Sequence, residues 1–333
     1  MMRIITILAL LVLTAATGQG GAPLSGYEAL RAKDSRVLAI GYRLAKGNVA
    51  YCPDLENAAG WALHSLSQYG DRNGARAAFG FEGEFAVLAV LPDGPADRAG
   101  IRQDDTLVAI NGDTLDLDHA AMEANGESRG YAPLAWLQAR MEAALAKGPA
   151  SITIMRDGQR LEFTVEPELI CQSRFEVRTS NNQDASANGR IISIGDELVD
   201  FAASESELSA LLAHELAHNM LHHRERLNAA GVSRGLLQQF GRSARLIKQT
   251  EVEADRLSVW LMANAGYDPQ DAVTFWTRYG KTYGLGIFSP STHYRWKKRV
   301  KFISEELEIL SGSERSSKGY APPLLTAPLP TLQ

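Results

Sequence analysis

Two histidines and a glutamate stand together in His214-Glu215-Leu216-Ala217-His218. On a helix, four residues advance the chain by about 400°, so the two imidazoles emerge about 40° apart on one face, about 6 Å along the axis. Both can reach one ion, and Glu215 leans to the same side, where it can contact a water on that ion. Hydrolytic zinc uses three protein ligands and leaves a fourth position open, so a third ligand is needed. Glu251-Val252-Glu253-Ala254-Asp255 offers one. Glu251 and Asp255 lie one turn apart on a shared face; one can bind the metal while the other accepts the second ring N–H of a ligating histidine. Glu253 points elsewhere, about 200° round the helix from Glu251. His222, a further turn along from His218, reads as a neighbour of the cluster. His64 and His119 stand outside any cluster, and Trp260 and Trp276 read as core.

The elements that must position these groups follow from periodicity. Helical character runs from about Ser206 to Leu227, with Ser204 or Ser206 as cap, and again from about Arg234 to Ala265, with Gly231 and Ser233 between. Further helices are expected over Pro269 to Tyr279 and from near His293 to near Leu310. Ahead of them, Phe175 to Asp200 is a polar strand-and-turn region; Ile191 to Ile194 reads as an edge strand on which a substrate backbone can lie. Tyr27 to Leu66 has helical spacing in parts. From Phe79 the runs become short and β-like: a strand at Phe85 to Leu91, a short helix closed by Gly100, a strand ending in Asn111-Gly112, a helix over Trp136 to Ala146, and a hairpin at Ala150 to Val165 around Asp157-Gly158.

Composition bounds the rest. The chain has 333 residues, 45% hydrophobic and 22% charged, which is enough for about two domains at ~150 residues each. Its net charge of -5, from 34 Lys+Arg against 39 Asp+Glu, excludes wholesale disorder and leaves no basic excess for nucleic acid. Residues 1–17 read as a signal peptide: Arg3, the apolar run Ile4 to Leu13, then Ala15-Ala16. That run is shorter than the roughly 20 residues of a spanning helix, and no later stretch approaches such a length, so the mature chain is expected to be periplasmic or secreted with no integral membrane segment. In such a compartment Cys52 and Cys171 are expected to pair, closing a loop that the chain-entropy model values at about 4–5 kcal/mol. The tail 311–333, rich in Ser, Pro and Gly, is expected to be disordered.

Two resemblances sharpen this reading. "GPADRAGIRQDDTLVAING" resembles a PDZ domain, covering about residues 72–168. Such domains accept extended peptides at a sheet edge, and the family's carboxylate-binding loop maps onto Phe79-Gly80-Phe81. "SELSALLAHELAHN", "EVEAD" followed by "RLSVWLMANAGYDP", and "STHYRWKKRV" resemble the gluzincin metallopeptidases of family forty-eight, which include CAAX prenyl endopeptidases and HtpX-type proteases, over about residues 172–308. The resemblance implies zinc on His214, His218 and Glu251, with Glu215 as base. It also implies Asp255 and Arg299 behind the ligands, and His293 near the substrate oxyanion. Tyr294 stands where the family has proline, and the polar stretch Ala229 to Thr250 matches the soluble branch.

The expected fold is α+β: a mainly helical zincin-type peptidase domain (169–310) with a small sheet, and an inserted β-rich PDZ domain (72–168). The segment 18–71 is expected to belong to the peptidase. The implied function is a zinc metalloendopeptidase acting on misfolded or envelope proteins, with peptide or protein partners reached through the PDZ domain. The alternatives are a proteolytically silent zinc-binding chaperone or adaptor, and hydrolysis of a non-peptide substrate.

Overall fold

The computed structural model describes residues 26–115, 130–179, 184–232, 241–284, 295–329 and 331–332. The expected signal peptide, residues 234–240 of the expected second long helix, His119, His293 and Tyr294 lie outside them.

Helix α1 (Gly26–Gly47) buries Val37, Ile40 and Leu44 in one core with residues from the distant C-terminal half, including Leu208, Leu212, Leu216 and Trp260. The chain then leaves this core through β1 (Leu55–Ala58), builds a sheet, and returns through a partner strand at residues 168–171. The sheet strands are β2 (Trp61–Ser65), β3 (Phe85–Val90), β4 (Thr106–Ile110), β5 (Asp113–Thr114), β6 (Ala150–Arg156) and β7 (Gln159–Val165). All pair antiparallel, in the order β2-β3-β4-β6-β7, with β5 on β4. Helices α2 (Arg72–Phe79), α3 (Pro95–Ala99) and α4 (Ala132–Leu145) lie between the strands in sequence.

β3 is apolar throughout because both its faces are covered: Phe85 and Val87 join Leu134, Leu137 and Ile152 on one side, and Ala86 and Leu88 join Phe79, Phe81 and Leu66 on the other. The expected hairpin at Asp157-Gly158 is present; both residues have positive φ, as a two-residue turn between Arg156 and Gln159 requires. The sheet begins at Trp61 rather than at the expected boundary of 72. β2 is separated from β3 by a helix, and its Trp-Ala-Leu-His-Ser run has no clean alternation.

The return strand β8 (Glu168–Cys171) pairs antiparallel with β1, Ala58 opposite Glu168 and Leu55 opposite Cys171. Cys52 and Cys171 are disulfide-bonded, as expected. A second sheet follows, β10 (Ala185–Ala187), β11 (Ile191–Gly195) and β9 (Arg174–Arg178), in the order β10-β11-β9. β11 is therefore central, paired on both sides. The expected substrate edge at Ile191 to Ile194 is corrected accordingly, because no free ladder remains there.

Then come α5 (Asp196–Phe201), α6 (Glu205–Met220), α7 (His223–Ala229), α8 (Gly241–Asn264), α9 (Gln270–Tyr283), α10 (Trp296–Ser311) and the single-turn α11 (Pro323–Thr326). The fold is thus α+β, with a helical region and a β-rich module. The expected continuous helix to Leu227 breaks at His222, which adopts φ +50. The described residues of the tail are not disordered: Tyr320 N–H donates to Asn264 Oδ1 (2.7 Å) and Leu324, Leu325 and Leu329 pack on the helical core. Its Ser, Pro and Gly content masked those apolar anchors. Among the described residues, no helix is long and apolar enough to cross a membrane.

Candidate metal centre

α6 is capped by Ser204, whose Oγ accepts from Glu207 N–H at 3.0 Å, while Glu207 Oε2 accepts in return from Ala203 N–H at 2.9 Å. Apolar residues surround the helix, so His214 (3% exposed) and Glu215 (7%) stand in the protein interior. α8 packs along α6 and brings in Glu251.

The two histidine Nε2 atoms are 3.2 Å apart. Glu251 oxygens lie 3.4 Å from His214 Nε2 and 3.5 Å from His218 Nε2. Ligand atoms of the three residues all fall within 4.8 Å of one another. A tetrahedral zinc ion with bonds of about 2.0–2.1 Å has ligand–ligand edges of about 3.3 Å, so the spacing and the N/O donor set fit such an ion. Two imidazole nitrogens facing each other beside a carboxylate also offer lone pairs that one cation can share.

Each histidine is held from behind. His214 Nδ1 is 3.0 Å from Asp255 Oδ1. Arg299 clamps Asp255 through Nη2 to Oδ1 (2.6 Å) and Nε to Oδ2 (3.0 Å), with its guanidinium 3.6 Å from the Trp276 ring centroid. Burial raises the Asp255 carboxyl, but Arg299 and His214 outweigh it and the group sits below its ordinary value. His218 Nδ1 instead meets His223 Nδ1 at 2.8 Å, and His223 Nε2 meets Glu253 Oε2 at 3.1 Å. Glu253 also accepts from Arg226 (2.6 Å) and Gln249 (3.1 Å). Burial opposes ionisation of Glu253, yet His223 and Arg226 bring it down to about 2. Glu215, between these layers, is pushed up to about 7 by burial, which Glu251 reinforces and His214 opposes.

The structure therefore gathers His214, Glu215, His218, Glu251, Asp255 and Arg299. Sequence reasoning missed His223, Glu253 and Arg226. Glu253 does point away from Glu251, but toward His223. On an unbroken helix, five residues from His218 to His223 rotate about 140° off the metal face; the kink at His222 brings the ring back, and no Pro or Gly signals it. His222 itself sits at the surface beside Asp54 (3.4 Å). His64 is core: it is 2% exposed, with Nδ1 2.9 Å from the Tyr69 hydroxyl.

A cavity of about 530 Å³ lies apart from this cluster, between α1, β2, α4 and β9. β2 and β9 are edge strands of their sheets. The flanking bonds Leu91 N to Gly60 O and Leu66 N to Glu84 O direct the even-numbered residues of β2 toward β3, so the backbone groups of Trp61 and Leu63 face the cavity. The expected carboxylate-binding loop Phe79-Gly80-Phe81 turns its two aromatic side chains into the interior. They are 2% and 3% exposed in an aromatic cluster with His64 and Tyr69, and Gly80 caps α2.

Residues 172–245 match Peptidase family M48 and residues 87–127 match a PDZ domain. The chain is similar to "Mitochondrial metalloendopeptidase OMA1" from three organisms. The Schizosaccharomyces pombe protein is 28% identical over 153 residues, 40% of this chain and 45% of that one. The Saccharomyces cerevisiae protein is 23% identical over 223 residues, 55% and 65%. The Arabidopsis thaliana protein is 31% identical over 130 residues, 32% and 26%. The chain thus matches between about a quarter and two thirds of the length of these curated relatives. Among solved structures, the HtrA3 PDZ domain bound to a phage-derived ligand has a TM-score of 0.26 at 21% identity, covering 35% of this chain and 92% of that one. The HtrA-type protease AlgW with a decapeptide has a TM-score of 0.24 at 21% identity, covering 34% and 30%. The expectation of a periplasmic or secreted chain is corrected by these relatives, each of which is named mitochondrial.

Proposed function

We propose that the chain is a zinc-dependent endopeptidase acting on polypeptide. The observation that carries this is the convergence of His214, His218 and Glu251 from two helices, with Glu215 buried beside them. Zinc bound there would polarise the scissile carbonyl and acidify a water. The chain's own groups do the rest. Glu215, which burial holds near neutrality, takes the proton of the attacking water and delivers it to the leaving nitrogen. Asp255 and Arg299 hold His214 with its Nδ1–H turned away from the ion site, leaving Nε2 to bind.

The PDZ module is the recruiting or gating element in this reading. Its peptide would add to the free edge of β2, where the Trp61 and Leu63 backbones face the cavity, rather than to Phe79-Gly80-Phe81.

The test is cleavage of unfolded casein. The wild type should lose activity to a chelator and regain it with zinc. Glu215→Gln should keep its zinc and lose activity by about 10²–10⁴-fold. Full cleavage by the zinc-loaded Gln variant would reject the mechanism, and wild type that binds no zinc would reject the function.

A further inference from the structure

The metal histidines are supported asymmetrically. His214 leans directly on a carboxylate, whereas His218 leans on a second imidazole that in turn leans on one. Counting hydrogens settles which way that second chain runs. Glu253 is a hydrogen-bond acceptor, paired with Arg226 at 2.6 Å, so at the 3.1 Å contact the hydrogen belongs to His223 Nε2. A neutral imidazole carries only one N–H. His223 Nδ1 is therefore an acceptor, and the hydrogen in the 2.8 Å contact belongs to His218 Nδ1. That leaves the Nε2 lone pair of His218 facing Glu251 and His214. All three links are enclosed: His223 and Glu253 are 2% and 5% exposed, so water does not compete freely for these bonds.

We infer that His223, oriented by Glu253 and Arg226, is a positioning residue for the metal site: it accepts the Nδ1 hydrogen of His218 and so fixes the tautomer and ring plane in which His218 binds the ion. This rests on the zinc reading above and extends it to residues two side chains away from the ion. Supporting groups of this kind typically change metal affinity by about 10–100-fold.

The test is zinc affinity of the full chain, measured by competition with a chromogenic chelator, for the wild type and for His223→Ala, His223→Asn and His223→Gln. An Asn carbonyl oxygen can stand where His223 Nδ1 stands and accept from His218. A Gln amide instead reaches the position of Nε2 and contacts Glu253. The Ala variant should bind zinc about 10–100-fold more weakly. Asn should recover most of that loss and Gln little of it. Histidine ¹⁵N NMR of the zinc-loaded wild type should show His223 protonated at Nε2 and bare at Nδ1. Unchanged affinity in His223→Ala, equal affinities for Asn and Gln, or the opposite tautomer would each overturn the inference while leaving the zinc reading intact. If His223→Ala fails to fold, the Asn and Gln pair decides alone. Wild type that takes up no zinc overturns the zinc reading, and this inference with it.

Discussion

Asp255 and Arg299 set the stakes for a single buried charge. Asp255 is 1% exposed and pairs with Arg299, itself 8% exposed, at 2.6 Å. Asp255→Asn keeps the shape and a carbonyl oxygen for His214 Nδ1–H, but leaves the buried Arg299 guanidinium without the carboxylate that clamps it, with only the charges of Glu251 and Glu215 nearby. Breaking a buried pair in this way costs about 3–5 kcal/mol, so the urea midpoint should fall clearly. Zinc affinity should drop about 10–100-fold as well. Loss of affinity with no loss of stability would show that Arg299 finds another partner and that the pair serves the metal alone. Metal binding should also weaken on acidification, since the ligands must shed protons to bind. Burial and Arg299 work against charge on His214, but hydrogen bonds to Asp255 and Glu251 prevail and raise its pKa to about 9. Zinc titrations below that pH should accordingly release protons to the buffer, and proton-silent binding would contradict the raised His214.

At the scale of elements, α1 is where the helical core meets the β-rich module. Gly41 lets it lie against β9, since a Cβ there would stand 2.4 Å from Phe175 Cγ. About two turns earlier, Asp34 Oδ1 accepts from Val177 N–H at 3.3 Å. Burial, assisted by Glu176 and opposed by the Val177 bond, raises the Asp34 carboxyl from 3.8 to about 7. The unfolded chain ionises this group first, so between those values the folded state holds the extra proton. The stability contribution is fully present below about pH 4 and is lost as pH rises through about 7. At 1.36 kcal/mol per pKa unit the loss amounts to at most about 4 kcal/mol. Asp34→Asn should remove this slope, so that the variant gains on wild type in chemical denaturation at pH 8 and not at pH 4. Parallel curves would place Asp34 in water. How far such elements could be read in the sequence depended on whether local pattern or packing fixed them. The His214 and His218 spacing follows the helix period and was legible, as was the Asp157-Gly158 turn. The break at His222, which delivers His223 to the site, is imposed by packing against Glu253 and Arg226 and has no local signature. β2 was hidden because its partner β3 lies beyond an intervening helix.

Taken whole, the molecule routes its chain out of the helical core and back through one narrow neck. Ala58 and Glu168 sit opposite each other in the β1–β8 ribbon, with the Cys52–Cys171 bond beside it. Everything between them is the β-rich module, while α1 on the near side packs into the same core as α6 and α8 on the far side. The core therefore draws little of its apolar burial from the module, Leu91 being a module residue that packs on it. Links between the two do exist: Arg31 to Asp104 at 2.8 Å and the Tyr131 hydroxyl to Glu176 at 2.7 Å are polar and partly exposed, worth about 1 kcal/mol each, and at the start of α1 Tyr27 meets the Tyr69 and Phe79 rings. Replacing residues 59–167 by Asn-Gly converts the ribbon into a two-residue hairpin. The shortened chain should keep its helical circular dichroism and bind zinc at the wild-type ratio, while cleavage of long unfolded substrates changes and cleavage of short peptides does not. A shortened chain that is unfolded or zinc-free would show instead that the module holds the metal helices in place, and that its role is structural before it is one of recruitment.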